Sequence, residues 1–139
     1  MRREYAGGAQ TAQLTAVLGG STADLTITCD DLTNYPDGSV GPFYIVIDRG
    51  LVSEEKILCA SRSGNVITVY NTGLTNGRGA DGTSVLSHSI GANVEHVFTA
   101  TDADEANSFI NGGNANYYQV GQPSGVSAGD IWVDSNGTA

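Results

Sequence analysis

Short stretches in which apolar and polar residues alternate recur along the chain, and each of them predicts a β-strand. The clearest group comprises Phe43–Asp48, Glu55–Ala60 and Asn65–Tyr70, which predict three strands joined by turns. The turn before the third strand contains Gly64 and Asn65, two residue types that tolerate positive φ in a tight hairpin. We therefore predict an antiparallel β-meander at the centre of the fold.

Three further alternating stretches predict strands at Ala12–Leu18, Asp24–Cys29 and Asn93–Ala100. A long glycine-punctuated segment, Asn71–Ser89, shows little periodicity. Connections of this length are uncommon in compact domains, so we expect it to be functional or to cover another part of the fold.

One helix is predicted, over Asp102–Ile110. Thr101 or Asp102 can cap its first turn, and the acids there suit the positive end of a helix. Short strands followed by one short helix indicate a mainly β fold, a small β-sandwich or β-barrel. We divide the chain into an N-terminal arm of residues 1–10, a β-rich core of residues 11–110 that ends in the helix, and a Gly/Asn/Ser-rich C-terminal tail of residues 111–139. We expect the arm and the tail to be extended.

The net charge of −9 disfavours nucleic acid as a partner, because a phosphate backbone would be repelled. Two of the six bases, Arg2 and Arg3, lie in the arm, which is either a frayed terminus or a basic peg that docks on an acidic partner. No apolar run follows them, so we expect no secretory signal, and no stretch is long enough to span a membrane.

The cysteines Cys29 and Cys59 both fall at apolar positions of predicted strands. Their pairing is possible, but buried free thiols fit a cysteine-poor chain without a C-x-x-C motif better. No metal site and no cofactor are predicted, because ligand clusters of the usual spacing are missing.

Residues for catalysis are also not apparent. The histidines His88 and His96 lie near serines in sequence, but no nucleophile motif surrounds those serines, so we interpret both histidines as packing or hydrogen-bonding residues. In the loop from Gly77 to Thr83 we expect Arg78 to pair with Asp81 or with backbone carbonyls, and the loop is either a structured turn or a contact loop. We therefore predict that the chain is not an enzyme.

Three parts of the sequence carry a family resemblance: REYAGGA at Arg3–Ala9, GPFYIVIDRG followed by SEEKILCASRSGNVITV, and GRGADGTS followed by HSIGANVEHVFTATDADEAN. They resemble a small module of tailed-bacteriophage structural proteins. The tail segment GDIWVDSNG is similar to segments of phage tail-fibre proteins. This resemblance implies a β-sandwich or β-barrel that repeats around a particle through symmetric contacts, and it implies no catalytic residues.

We accordingly expect a structural component of a phage virion, assembled in the host cytoplasm, that acts as a tail- or fibre-associated connector. Its partners would be other virion proteins and copies of itself. A capsid decoration protein that clamps capsomers is the alternative, and a carbohydrate-binding receptor module, which would contact a host glycan, is a further one. The residues that we expect at interfaces are Arg2, Arg3, Tyr5, Arg78, Asp81, Tyr117, Tyr118 and Trp132.

Overall fold

A computed structural model describes residues 3–113 of the chain. Residues 3–103 belong to one compact unit, and residues 104–113 belong to a second unit. The elements are β1 (Ala12–Gln13), β2 (Thr26–Thr28), β3 (Phe43–Ile47), β4 (Glu55–Ser63), β5 (Val66–Val69), β6 (Asn93–Val97) and α1 (Ala100–Gly113).

The six strands form one antiparallel sheet in the order β1-β6-β3-β4-β5-β2. The sheet curls until its two edge strands meet, because Leu14 forms an antiparallel bridge with Cys29. The amide of Thr15 donates to the carbonyl of Thr28 across the same junction, at 2.9 Å. The fold is therefore mainly β, as the alternating pattern predicts, and the first unit is a small closed barrel that leaves no long unpaired edge.

The barrel interior is filled by one side of each strand. Phe43, Ile45 and Ile47 of β3 point inward, and Ile45 lies opposite Ile57 of β4 in register. Full burial of such a side chain contributes about 1.5–3 kcal/mol, so these residues supply most of the driving force for folding. The buried apolar cluster consists of Ala12, Leu14, Leu18, Ile27, Cys29, Leu32, Tyr35, Phe43, Ile45, Ile47, Ile57, Cys59, Ile67, Val69 and Val94.

The first strand is shorter than predicted. Only Ala12–Gln13 pairs regularly with β6, and the chain then changes partner, with Leu14 bridging Cys29 and Leu18 bridging His88. Leu14 and Leu18 are buried as the alternation predicts. Ala16, which the alternation places on the same face, is exposed, because the regular pairing of β1 has ended before it.

The helix begins two residues earlier than predicted, at Ala100. Its cap is Thr99 rather than Thr101 or Asp102. The amide and the hydroxyl of Thr99 both donate to Oδ2 of Asp102 at 2.9 Å, and the amide of Asp102 faces Oγ1 of Thr99 at 3.3 Å. This reciprocal arrangement is a capping box with aspartate in the third helical position.

Residues 70–92, which we call the covering segment, connect β5 to β6, and residues 77–80 pair edge to edge with Lys56 and Leu58 of β4. The amide of Leu58 donates to the carbonyl of Gly77 at 2.8 Å, and the amide of Ala80 donates to the carbonyl of Lys56 at 2.8 Å. The segment therefore adds strand-like pairing next to β4 although it contains no regular strand of its own.

The described part of the arm lies against the chain's own barrel. The Glu4 amide donates to the carbonyl of Pro42 at 3.0 Å, and its carboxylate accepts from the amide of Gly38 at 2.9 Å. The amide of Ala6 donates to Nε2 of His96 at 3.3 Å, and the hydroxyl of Tyr35 donates to the carbonyl of Gln10 at 2.8 Å. The expected extended arm is thus folded back over residues 3–10.

A pair of glycines in the covering segment allows a direct test of its close packing. A Cβ at Gly77 would overlap the carbonyl oxygen of Leu58, whereas a Cβ at Gly73 would meet no atom within 4 Å. Because overpacking typically costs 1–3 kcal/mol and the ladder next to β4 would also be disturbed, we expect Gly77→Ala to lower the free energy of unfolding by about 3 kcal/mol. Gly73→Ala, where only the φ of 80° is unfavourable, should cost about 1 kcal/mol. Urea unfolding followed by circular dichroism measures both, and equal losses would contradict the packing described here.

Candidate functional site

Four ionisable side chains meet at one end of the barrel, and we call them the Glu55 cluster: Asp48, Glu55, Arg78 and His88. Asp48 follows the last residue of β3, Glu55 opens β4, and Arg78 and His88 belong to the segment that covers β4. The relative exposures of Glu55, His88 and Arg78 are 0%, 1% and 4%. Charged groups this deeply buried require partners, because an unpaired buried charge is very costly.

The Glu55 carboxylate accepts five hydrogen bonds. Oε1 accepts from Nε of Arg78 at 2.7 Å and from the amide of Gly79 at 2.9 Å. Oε2 accepts from Nη2 of Arg78 at 3.0 Å, from the amide of Leu86 at 3.0 Å, and lies 3.0 Å from Nε2 of His88. The contact with Arg78 is the bidentate, charge-assisted type, which is the strongest geometry available to this pair.

Arg78 uses its remaining donors on backbone carbonyls. Nη1 donates to two carbonyl oxygens, and Nη2 donates to two more in addition to Glu55, all of them within one chain. The four acceptors are the carbonyl oxygens of Gly19, Ser21, Asp24 and Leu86, at 2.8–3.1 Å. The guanidinium therefore joins the segment before β2 to the segment that covers β4.

His88 lies between two carboxylates. Its Nε2 faces Glu55, and its Nδ1 lies 3.1 Å from Oδ2 of Asp48. Since a carboxylate only accepts hydrogen bonds, both ring nitrogens must donate, and this requires the protonated imidazolium. Asp48 has φ of 54° and also accepts from the hydroxyl of Ser53 at 3.0 Å, so its position is fixed from the other side as well.

The pKa values follow from these contacts. Burial alone would raise the pKa of Glu55, but the hydrogen bonds from His88, Arg78 and the two amides outweigh it and lower that pKa to about 2. Burial alone would lower the pKa of His88, but the hydrogen bonds to Glu55 and Asp48, together with their charges, outweigh it and raise that pKa above its usual value. Both shifts favour the charged forms, so the cluster is an ionic network.

An Asp–His–Glu chain resembles a proton relay, but its geometry fits a structural role better. A general base needs a nitrogen that can accept a proton from a substrate, and both nitrogens of His88 are occupied by carboxylates. The side chain of His88 is completely buried. The hydroxyl of Ser53, which belongs to the same network, donates to Asp48 and not to His88.

A second polar group centres on Asp81, which also has a positive φ, of 53°. Its Oδ1 accepts from the amide and the hydroxyl of Thr101, at 2.9 and 2.6 Å, and its Oδ2 accepts from Nζ of Lys56 at 2.7 Å. Burial would raise the pKa of Asp81, but the hydrogen bonds from Lys56 and Thr101 outweigh it and lower that pKa to about 2. This carboxylate ties the covering segment both to β4 and to the start of α1.

These positions correct the prediction that Arg78 and Asp81 are contact residues. Arg78 has no guanidinium surface for a partner to reach, and its ionic partner is Glu55 rather than Asp81. The expected alternative, pairing with backbone carbonyls, is confirmed. The side chain of Asp81 is only 6% exposed and is engaged by Lys56 and Thr101.

The described residues of the arm also contact other residues of their own chain. Nε of Arg3 lies 3.4 Å from Oδ1 of Asp102, and its guanidinium carbon lies 5.4 Å from the centre of the Tyr44 ring. The acidic partner of this basic residue is thus in its own chain. Tyr5 is half exposed and contacts the rings of His96 and Phe98. Arg2, Tyr117, Tyr118 and Trp132 lie outside the described residues.

The cysteines are both free and buried, as expected. Burial raises the pKa of Cys29 to about 12 and raises that of Cys59 as well. Neither thiol is therefore ionised near neutral pH, and both behave as small apolar core residues.

Within residues 3–113, no group of three or more potential ligand side chains is arranged to hold a metal ion. In the same range, no helix has the length and apolar character needed to cross a membrane. A shallow cleft of about 200 Å³ lies on the outer side of the barrel, lined by residues that include Val46, Lys56 and Phe98. No protein-family model matches the chain, and no curated protein matches it.

Sequence reasoning missed the Glu55 cluster as a unit. One signal was available, because Glu55 falls in phase with Ile57 and Cys59 on the inward face of β4. An acid at a core position requires buried donors. The identity of those donors, 23 and 33 residues further along the chain, follows only from the fold.

The cluster predicts a large difference between two adjacent glutamates. Glu55→Gln keeps the shape but removes the carboxylate that pairs with Arg78 and one of the two that face His88. One buried positive charge is left uncompensated, so we expect a loss of about 3–5 kcal/mol in the free energy of unfolding. Glu54→Gln is the matched control, because the Glu54 carboxylate accepts from the amide of Gly50 at the rim, and we expect a loss of at most about 1 kcal/mol. Chemical denaturation measures the free energy of unfolding of both variants. A loss for Glu55→Gln as small as that for Glu54→Gln would contradict the stabilising role of the Glu55 cluster.

The pKa shifts also predict a maximum of stability between about pH 4.5 and 6.5, the ordinary values for glutamate and histidine. Below this window Glu55 and Asp81, whose pKa values are lowered, become protonated and their contribution is lost as the pH falls toward 2. Above it His88, whose pKa is raised, keeps its contribution only until the pH passes its folded pKa. The urea concentration at the unfolding midpoint should therefore decrease on both the acid and the alkaline side of this pH window.

The variant His88→Gln separates the two limbs of this profile. It should be less stable than the parent chain, and it should lose the decline on the alkaline side while keeping the decline on the acid side. An unchanged alkaline decline in the variant would show that another group causes it.

Proposed function

We propose that this chain is a structural component of a tailed-phage virion, a tail- or fibre-associated connector that acts through contacts between subunits. The observation that carries the proposal is that the buried ionic groups are consumed in holding the barrel together. Glu55, Arg78 and His88 are all less than 5% exposed and fully engaged with one another and with the backbone.

The same residues belong to the stretches that resemble phage structural modules. Asp48 ends the stretch GPFYIVID, Glu55 lies in SEEKILCAS, and Arg78 and His88 begin the RGADGTS and HSIGA stretches. In this chain they build the closed end of the barrel rather than a surface. The resemblance therefore concerns architecture, and this supports a scaffold function better than a chemical one.

The composition of the chain supports the same proposal. A net charge of −9 keeps free copies apart and soluble until specific contacts form. A small closed barrel offers a rigid body with no open sheet edge, so assembly must proceed through loops and terminal segments.

Mass spectrometry of purified particles, with isotope-labelled peptides of this chain as standards, tests the proposal. We expect the chain to co-purify with particles at a fixed ratio to the major capsid protein, at the low copy number of a tail component. A replication protein of the same phage serves as the control for carry-over from the lysate. Copies in the hundreds, spread over the head, would instead identify a capsid decoration protein.

Absence from purified particles, with the chain found only in the soluble lysate, would overturn the proposal. Retention on host cells by the isolated chain, abolished by Trp132→Ala, would favour the carbohydrate-binding alternative. If Trp132→Ala instead blocks incorporation into particles, the carbohydrate-binding alternative fails and the connector proposal stands.

A further inference from the structure

Four strongly exposed apolar side chains lie on three loops of the barrel, and Leu74, Phe98 and Ile110, which are similarly exposed, lie outside these loops. Val17, Leu51, Val52 and Ile90 have relative exposures of 63%, 62%, 105% and 64%. Single exposed apolar residues are ordinary, but several on neighbouring loops mark an interaction surface.

The three loops emerge at the same end of the barrel. The amide of Asp48, after β3, donates to the carbonyl of Asn93, at the start of β6, at 3.0 Å. The amide of Leu14, after β1, donates to the carbonyl of Ala92, just before β6, also at 3.0 Å. The chain beyond β1, the chain beyond β3 and the chain before β6 are thus neighbours, and we call residues 15–18, 49–53 and 89–92 the end surface.

The Glu55 cluster lies directly beneath these loops and holds them in place. His88 exchanges two backbone hydrogen bonds with Leu18, at 2.9 and 3.0 Å, and its ring binds Asp48. The amide of Gly50 donates to the carboxylate of Glu54 at 2.7 Å, which closes the loop that carries Leu51 and Val52. Preformed loops lose little conformational freedom on binding, so they suit a contact surface.

The charge distribution indicates which partner fits. The chain carries fifteen acids against six bases, yet residues 15–18, 49–53 and 89–92 contain no acid and one base, Arg49. Two carboxylates contact the rim of the end surface, because Glu54 accepts from the amide of Gly50 and Glu95 pairs with Arg49. Elsewhere, two copies would bring acidic surfaces together and repel each other. At the end surface this repulsion is weaker, because the three loops themselves contain no acid.

We propose that the end surface binds the end surface of a second copy of this chain, in a two-fold symmetric, end-to-end contact. The inference rests on the proposed structural function, since it names the self-contact through which such a subunit would assemble. In a two-fold contact the same patch is used on both sides, so an apolar, nearly uncharged patch is complementary to itself.

Other occupants fit less well. A nucleic acid or an anionic lipid surface needs several basic residues, and the end surface supplies one. A strongly basic protein would be drawn to the acidic sides of the barrel and not to this end.

Sedimentation of the purified chain over a range of concentrations tests the contact. We expect reversible association to twice the 14.3 kDa mass of one chain. Val52→Lys should weaken this association about tenfold or more, because it places an unpaired charge in an apolar contact. Lysine reduces the net negative charge, so the loss could not come from greater overall repulsion.

Val40→Lys is the matched control. Val40 is also exposed, at 47%, but it precedes β3 and so lies at the opposite end of that strand from Asp48. It should leave the association unchanged within about twofold. A wild-type chain that stays monomeric at all concentrations, or an equal effect of both lysine variants, would overturn the inference.

Cross-linking gives a second readout. The native cysteines are buried, so a cysteine introduced at an exposed site reacts alone. Under mild oxidation Val52→Cys should form a covalent dimer much faster than Val40→Cys, and equal rates would count against the symmetric contact. A monomeric chain that is nevertheless found in particles would reject this inference and leave the proposed function intact, whereas a symmetric dimer that is missing from particles would do the reverse.

Discussion

The burial of one carboxylate, that of Glu55, is the constraint on which the rest of this structure depends. Removing a carboxylate from water costs several kcal/mol, and the barrel offsets this cost with five hydrogen bonds, two of them from Arg78. None of the donors is near Glu55 in sequence. The chain can satisfy the carboxylate only by bringing residues 78–88 back across β4, so a long segment without regular strands becomes ordered.

Such a cluster contributes more to specificity than to net stability. Replacing a buried ion pair with apolar groups is often neutral, whereas breaking it is costly. Here the ion pair selects one arrangement among many, because Arg78 reaches the carbonyls before β2 while His88 reaches Asp48 after β3. These directional contacts fix the closed end of the barrel. The apolar interior below it requires only side chains that fill its volume.

Much of the barrel could be predicted from alternation alone. The meander of β3, β4 and β5, the strand β6 and the buried positions of Leu14 and Leu18 all follow from the period-two pattern, whereas the exposure of Ala16 and the burial of Tyr44 and Val46 do not. The pattern does not predict a change of pairing partner or the position of a helix cap. It therefore missed that β1 ends at Gln13 and that Thr99 caps α1. For Glu55 the pattern placed the side chain in the core, but Arg78 was assigned to a surface, because a charged residue in a glycine-rich loop carries no sign of the partner that buries it.

The same constraint explains where the surface is free for contact. Asp48, Glu55, Arg78 and His88 neutralise one another beneath the end of the barrel, and one further carboxylate, that of Glu54, closes the loop of residues 49–53 above them. The tips of these loops carry the apolar side chains of Val17, Leu51, Val52 and Ile90. If the chain has the proposed function, its acidic copies approach one another most easily through a region that carries little charge. On our proposal, the cluster that orders the fold therefore also determines where the subunit can make contact.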